Sequence, residues 1–269
     1  MKKGISLKLV LLLTGICILL PILVLILWSV AGRWPWPLLL PERYSLRTVH
    51  ELLFGSARLP QLLLSSMALA GAVSLLGTAV GVLTAQATEL HDFPGKQLVR
   101  FGCLLPLLIP GTVFAMGIQL VLIRLGLTDT VAGVVLVHLV VAAPYCILIM
   151  TDITRAVGGR YAEQAAVLGS GPLRAFFSVT LPCLMPGVLS SISMGFILSY
   201  SQYFTTLLIG GGRVKTLALV LVPYIQGGDR ALFSVYSVVF VGSALLVFFL
   251  FEGLILNLSK GVNRHGAEH

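Results

Sequence analysis

Charged residues are absent from six long stretches of this chain: between Lys8 and Arg33, Arg58 and Glu89, Arg100 and Arg124, Asp129 and Asp152, Arg174 and Arg213, and Arg230 and Glu252. The shortest, residues 231–251, still matches the ~20 residues that an α-helix rising ~1.5 Å per residue needs to cross ~30 Å of hydrocarbon. With 57% hydrophobic and 10% charged residues among 269, and a mean hydropathy of +1.01, the composition belongs to an integral membrane protein. Long continuous apolar runs exclude a barrel, whose strands would alternate toward a polar lumen. The fold class expected is therefore all-α, with six transmembrane helices in a single transmembrane domain over 1–269.

The first run follows Lys2, Lys3 and Lys8 and precedes Ser29-Val30-Ala31, as in a cleavable signal peptide. It exceeds the ~7 to 15 apolar residues of a signal core, so a membrane anchor is expected. The net charge of +8 is assigned to loops meeting anionic lipid headgroups, and no basic cluster with interleaved aromatics points to nucleic acid. Cys17, Cys103, Cys146 and Cys183 have no short spacing, which supports neither a disulfide framework nor a metal site. No cofactor is expected.

Residues 161–187 differ from the rest in reading as two short helices joined by a tight turn. Ala162 to Leu168 favour a helix that Gly169 closes in the left-handed conformation. Pro172 suits the first position of a second helix. Leu173, Phe176, Phe177 and Thr180 are expected on one side of it, and Leu181-Pro182 is expected to end it before the next apolar run.

Glu163, Ala165, Gly169, Leu181 and Pro182 together resemble the cytoplasmic "EAA loop" of permeases from type I, binding-protein-dependent ABC importers, and the group that the chain resembles is that of polyamine, iron(III), thiamine and sulfate transport. Gln164 stands where that motif has its first Ala. The likeness covers about residues 60–257. It implies a helix-turn-helix coupling loop between spans four and five, with Glu163, Ala165, Gly169, Pro172, Leu181 and Pro182 as its ATPase-coupling residues. It also implies cytoplasmic ATPase subunits, a second permease subunit, identical or different, and an external solute-binding protein. The chain itself would be a non-catalytic subunit of a bacterial plasma (inner) membrane importer, since it carries no nucleotide site. Residues 210–216 imitate a phosphate loop but lack the Gly before Lys.

Six spans put both termini on one side, and the amino-terminal lysines favour the cytoplasm. That orientation also places the Glu163 loop in the cytoplasm. Trp34, Trp36 and Tyr44 in the first outside loop suit the headgroup belt, with a short interfacial helix over 45–54. Small residues Gly71, Ala72, Ser74, Gly77 and Gly81 in span two predict close helix approach. Pro106 and Pro110 predict a bend in span three, whether static or gating.

His138, alone in span four, is expected to hydrogen-bond a neighbouring helix. In span five, placed at about 187–209, Ser199, Gln202, Thr205 and Thr206 fall on one helical face. Such a stripe must face inward, either as polar glue between helices or as the wall of a translocation path. An intramembrane enzyme would need a motif such as H-E-x-x-H or a nucleophile elbow, and an ion-coupled transporter usually buries an acid in mid-span. Neither feature occurs.

Overall fold

The computed structural model describes residues 2–35, 37–54 and 59–265, with no side-chain description for 2–7, 53 and 257–265. Trp36 and the last four residues of the polar tail therefore lie outside the described residues. The elements run α1 (Lys2–Ser29), a two-stranded antiparallel hairpin β1 (Ala31–Arg33) and β2 (Arg43–Tyr44), α2 (Arg47–Phe54), α3 (Leu59–Leu90), α4 (Lys96–Leu108) and α5 (Gly111–Arg124). There follow α6 (Val131–Val157), α7 (Arg160–Val167), α8 (Pro172–Ala175), a π-helical turn (Phe176–Thr180), α9 (Leu181–Tyr200), α10 (Phe204–Gly210), α11 (Leu217–Gln226) and α12 (Arg230–His265). Five helical stretches are long and apolar enough to span a membrane, and α4 with α5 makes a sixth if the bent pair counts as one span.

The chain divides into two compact units. The smaller comprises Met1–Leu63 and Leu217–Ser243. Within it Trp28 stacks on Trp34 at 4.5 Å, Arg230 lies over the Trp28 ring at 5.3 Å, and Tyr224 stacks on Tyr236 at 5.2 Å. Trp34 donates its indole N–H to the Leu38 carbonyl at 2.8 Å, so the ring keeps a polar partner while its face is covered. The short helix expected over 45–54 is α2.

The larger unit, Leu64–Thr216 with Ala244–His269, holds the elements that carry the motifs. Its centre is the packing of α3, α6 and α9, whose backbones approach closely because small residues face each other. A Cβ on Gly81 would lie 2.8 Å from the Cys146 carbonyl oxygen, one on Gly195 3.1 Å from the Ser74 Cα, and one on Gly187 2.7 Å from Ile153. Of the small residues expected to pack in span two, Gly77 and Gly81 do so against Cys146, whereas Gly71 faces open space. Between α3 and α9, Thr78 and Ser191 share a buried hydroxyl hydrogen bond of 2.9 Å.

One expectation about helix continuity holds and two are corrected. The bend expected in span three is present and falls at Pro110, where α4 and α5 meet at 108°, while Pro106 stays inside α4. Ile109 turns extended and Pro110 caps α5, its carbonyl accepting from Phe114 N–H at 3.0 Å. Pro110 offers no N–H to continue α4 and disfavours helical backbone at the residue before it, so the chain can start a new axis there.

Span five is likewise displaced and interrupted. The long apolar run is Pro172–Tyr200, and α9 stops at Tyr200 before α10 begins at Phe204. Leu181-Pro182, finally, does not end the preceding helix. The π turn lets Leu181 N–H reach the Phe176 carbonyl, five residues back, and the widened turn takes Pro182 into the first turn of α9 without a stop. The second helix of the expected pair therefore runs straight on into span five.

Candidate functional site: a glycine turn, a buried histidine and a buried carboxylate

The turn between α7 and α8 is closed by backbone geometry alone. Gly169 sits at φ +84°, Ser170 N–H reaches the Ala165 carbonyl at 3.0 Å, and Gly169 N–H reaches that of Ala166 at 2.9 Å. That is the Schellman pair of bonds, and its left-handed position suits glycine. Pro172 occupies the first position of α8, as expected, and Gly171 before it is extended. Ala165 and Ala175 are buried where α7 meets α8 and the π turn. Gln164 is exposed, so its bulk in place of the motif's alanine does not disturb that packing.

Glu163 stands exposed in the first turn of α7, and Leu181 and Pro182 begin α9. The four residues expected on one face of the second helix separate. Leu173 and Phe177 are 74% and 62% exposed, whereas Thr180 is buried and Phe176 half-buried, because the π turn shifts the phase. At the tip, Val167 and Leu168 are 89% and 87% exposed.

Around α10 the polar residues converge on His138 in α6. Its ring is wholly buried, with Nδ1 2.9 Å from Ser199 Oγ and Nε2 2.9 Å from Thr206 Oγ1. Thr206 already donates its one hydroxyl proton to the Gln202 carbonyl at 2.8 Å. Nε2 must therefore donate to Thr206, leaving Nδ1 of the neutral ring to accept from Ser199. Thr205 donates to Gln202 Oε1 at 3.1 Å.

The expected stripe is thus split between the end of α9 and the start of α10. Its members are nevertheless brought together, with Ser199, Thr205 and Thr206 buried and Gln202 half-buried. The same short helix is held elsewhere too. Gln119 of α5 donates to the Leu208 carbonyl at 3.2 Å, and Asp129 N–H to that of Ile209 at 2.7 Å.

Sequence reasoning missed one cluster. Glu89, in the last turn of α3 with its side chain 7% exposed, accepts from Arg100 Nη2 at 2.6 Å and from Arg155 Nε at 3.0 Å. Arg100 also donates to the Thr88 carbonyl at 3.0 Å. A signal was available: Glu89, Arg100 and Arg155 all stand at or just beyond the ends of charge-free runs. Nearby, the Lys96 ammonium hydrogen-bonds Asp92 at 2.9 Å and holds that exposed carboxyl below its ordinary range. Among the described residues no group of His, Cys, Asp and Glu is placed to hold a metal ion.

Comparison with known proteins adds the family. The chain is 29% identical over 213 residues to the molybdate/tungstate transport system permease protein WtpB of Pyrococcus abyssi, covering 79% of this chain and 83% of that one. It is 31% identical over 177 residues to the molybdenum transport system permease protein ModB of Mycobacterium tuberculosis, 61% of this chain and 67% of the relative. The putrescine transport system permease protein PotI of Escherichia coli matches at 24% over 228 residues, 81% of this chain and 79% of the relative.

The fold is that of a chain in the crystal structure of a bacterial ABC transporter involved in the import of the acidic polysaccharide alginate. The TM-score is 0.67 over 93% of this chain and 95% of that one, at 16% identity. Residues 77–264 match the family described as "binding-protein-dependent transport system inner membrane component", and to that family of multi-pass ABC permeases this chain belongs.

Proposed function

We infer that this chain is a translocation subunit of an ATP-driven importer, and that α7, the Gly169 turn and α8 form the element through which a separate cytoplasmic ATPase moves it. The observation that carries this reading is the exposed apolar tip, Val167 and Leu168, raised on a turn that backbone hydrogen bonds hold rigid. Left in water, two such side chains forgo roughly 1.5–3 kcal/mol each of burial free energy, which a partner groove would recover. Glu163, at the positive end of α7, adds a carboxylate for a cationic group beside that groove.

The complex would hold two permease subunits, two ATPases and an external solute-binding protein. Both termini would lie on the cytoplasmic side with the coupling turn. A fixed turn at the end of a helix that continues into α9 makes a stiff lever, since displacement at the tip is carried into the span.

Ser199, Gln202, Thr205 and Thr206 are the residues we assign to the translocation path, with half-buried Gln202 nearest to access. The side chains of Ser199, Gln202, Thr205 and Thr206 carry no charge, so these four residues themselves offer no carboxylate to a polycation. That chemistry, with relatives named for molybdate and tungstate, favours a small oxyanion as the solute.

Co-purification with the ATPase tests the coupling reading. Glu163→Ala and Gly169→Val should each insert normally in the membrane yet retain less ATPase than the parent chain. Undiminished recovery of ATPase with both variants would rule out the turn as the docking element.

A further inference from the structure

Glu89 has a role that the coupling turn alone does not explain. Its two carboxylate oxygens are each occupied by a guanidinium from a different helix, Arg100 of α4 and Arg155 of α6. A buried carboxylate held this way ties three helix ends together, and taking away either arginine leaves it half-satisfied. Arg100 adds a second tie, donating to the Thr88 carbonyl of α3 at 3.0 Å, so the joint between α4 and α3 rests on one guanidinium with two acceptors.

The cluster also lies at the base of the coupling turn. Arg155 stands three residues before Gly158, whose φ of +67° ends α6, and α7 starts at Arg160. A Cβ on Gly159 would lie 3.4 Å from Glu163 Oε1 and 3.9 Å from Leu90 Cδ2, which places the first turn of α7 against the last turn of α3. Beyond the clamp, α4 runs from Lys96 to Leu108 and ends at the 108° break. A push on α7 therefore has a short route through Glu89 to a span that breaks at 108°.

We propose that Glu89 is a positioning residue for energy coupling: it clamps α4 and α6 to α3, so that movement of the coupling turn reaches the α4–α5 break instead of dissipating at the membrane surface. The proposal rests on the transporter reading above. Both guanidiniums remain partly hydrated, with side chains 34% and 62% exposed, so the bonds can break and re-form.

Spin labels at Leu98→Cys on α4 and Ala156→Cys on α6, both exposed positions, read the clamp directly once the four native cysteines are replaced. In the parent protein the label distance should be narrow, and should stay within about 2 Å when ATP is trapped by vanadate in the complex with its ATPase. With Glu89→Gln the two states should differ by more than that, while ATP hydrolysis stays within about twofold of the parent. Glu89→Asp should restore a single distance.

Should Glu89→Gln not fold, Arg100→Gln and Arg155→Gln each release one helix from a partly exposed position and should broaden the same distance. A narrow, nucleotide-independent distance in the Glu89 or the arginine variants would overturn the clamp, as would a parent distance that itself changes on trapping. Failure of the parent chain to bind any ATPase would instead overturn the transporter reading, and the label distance in the isolated chain would still judge the clamp.

Discussion

The α3–α6 contact and the turn after α7 each depend on a glycine, but the two dependences are of different kinds. Gly81 has ordinary helical backbone and no room: a Cβ there would meet the Cys146 carbonyl oxygen at 2.8 Å. Gly169 has the reverse, with nothing within 4 Å of its added Cβ and a φ of +84° that L side chains resist. In the first case the neighbouring helix excludes a side chain, and in the second the chain's own backbone does. The core of the larger unit is thus specified by distance between helices, and the Gly169 turn by local conformation.

The largest effect should come from filling the core. Gly81→Val places branched carbons against a backbone carbonyl that cannot swing away as a side chain would, so α3 and α6 must part. Overpacking of this kind costs about 1–3 kcal/mol and sometimes more. The fraction of protein remaining monodisperse in detergent after heating should fall well below that of the parent. A melting curve equal to the parent's would mean the two helices are not held at this distance.

Next in size is His138, which tests whether the same core is specified by polar pairing as well as by space. His138→Leu leaves the Ser199 and Thr206 hydroxyls facing an apolar side chain, and interhelical hydrogen bonds in membranes are worth about 0.6–2 kcal/mol each. The double variant His138→Leu with Ser199→Ala also removes the hydroxyl that loses its acceptor, while Thr206 keeps donating to the Gln202 carbonyl. It should be at least as stable as His138→Leu alone, because an unpaired buried polar group costs more than a missing bond. A double variant markedly less stable than the single one would show that the Ser199 hydroxyl finds another partner.

What could be read from the sequence follows the same division between local and long-range causes. The Gly169 turn and Pro172 at the start of α8 were legible because each depends on a few neighbouring residues. The spans were legible from charge-free runs. Pro182 misled, since a proline reads as a stop and its escape needed a π turn that no residue in Phe176–Thr180 announces. The break after Tyr200 was hidden for a related reason: the hydroxyls that leave the helical face are held by His138, some sixty residues back in the chain. Glu89 was visible as the edge of an apolar run, but its pairing with Arg155, 66 residues away, is a tertiary fact.

The smallest effect, and the sharpest on the contrast between the two glycines, concerns asparagine. Asn tolerates the left-handed region better than other residues with a side chain, because its amide bonds locally to the backbone. At Gly169, where nothing crowds the Cβ, Gly169→Asn should cost less than Gly169→Ala, and Gly169→Ala itself about 1–2 kcal/mol at most. At Gly81 the order should reverse. Backbone strain plays no part there, so Gly81→Ala, the smaller residue, should be the milder change and Gly81→Asn the worse. Thermal unfolding of the four variants side by side decides it. If Asn and Ala rank in the same order at both positions, one cause governs both glycines, and the distinction between a crowded core and a conformationally fixed turn fails.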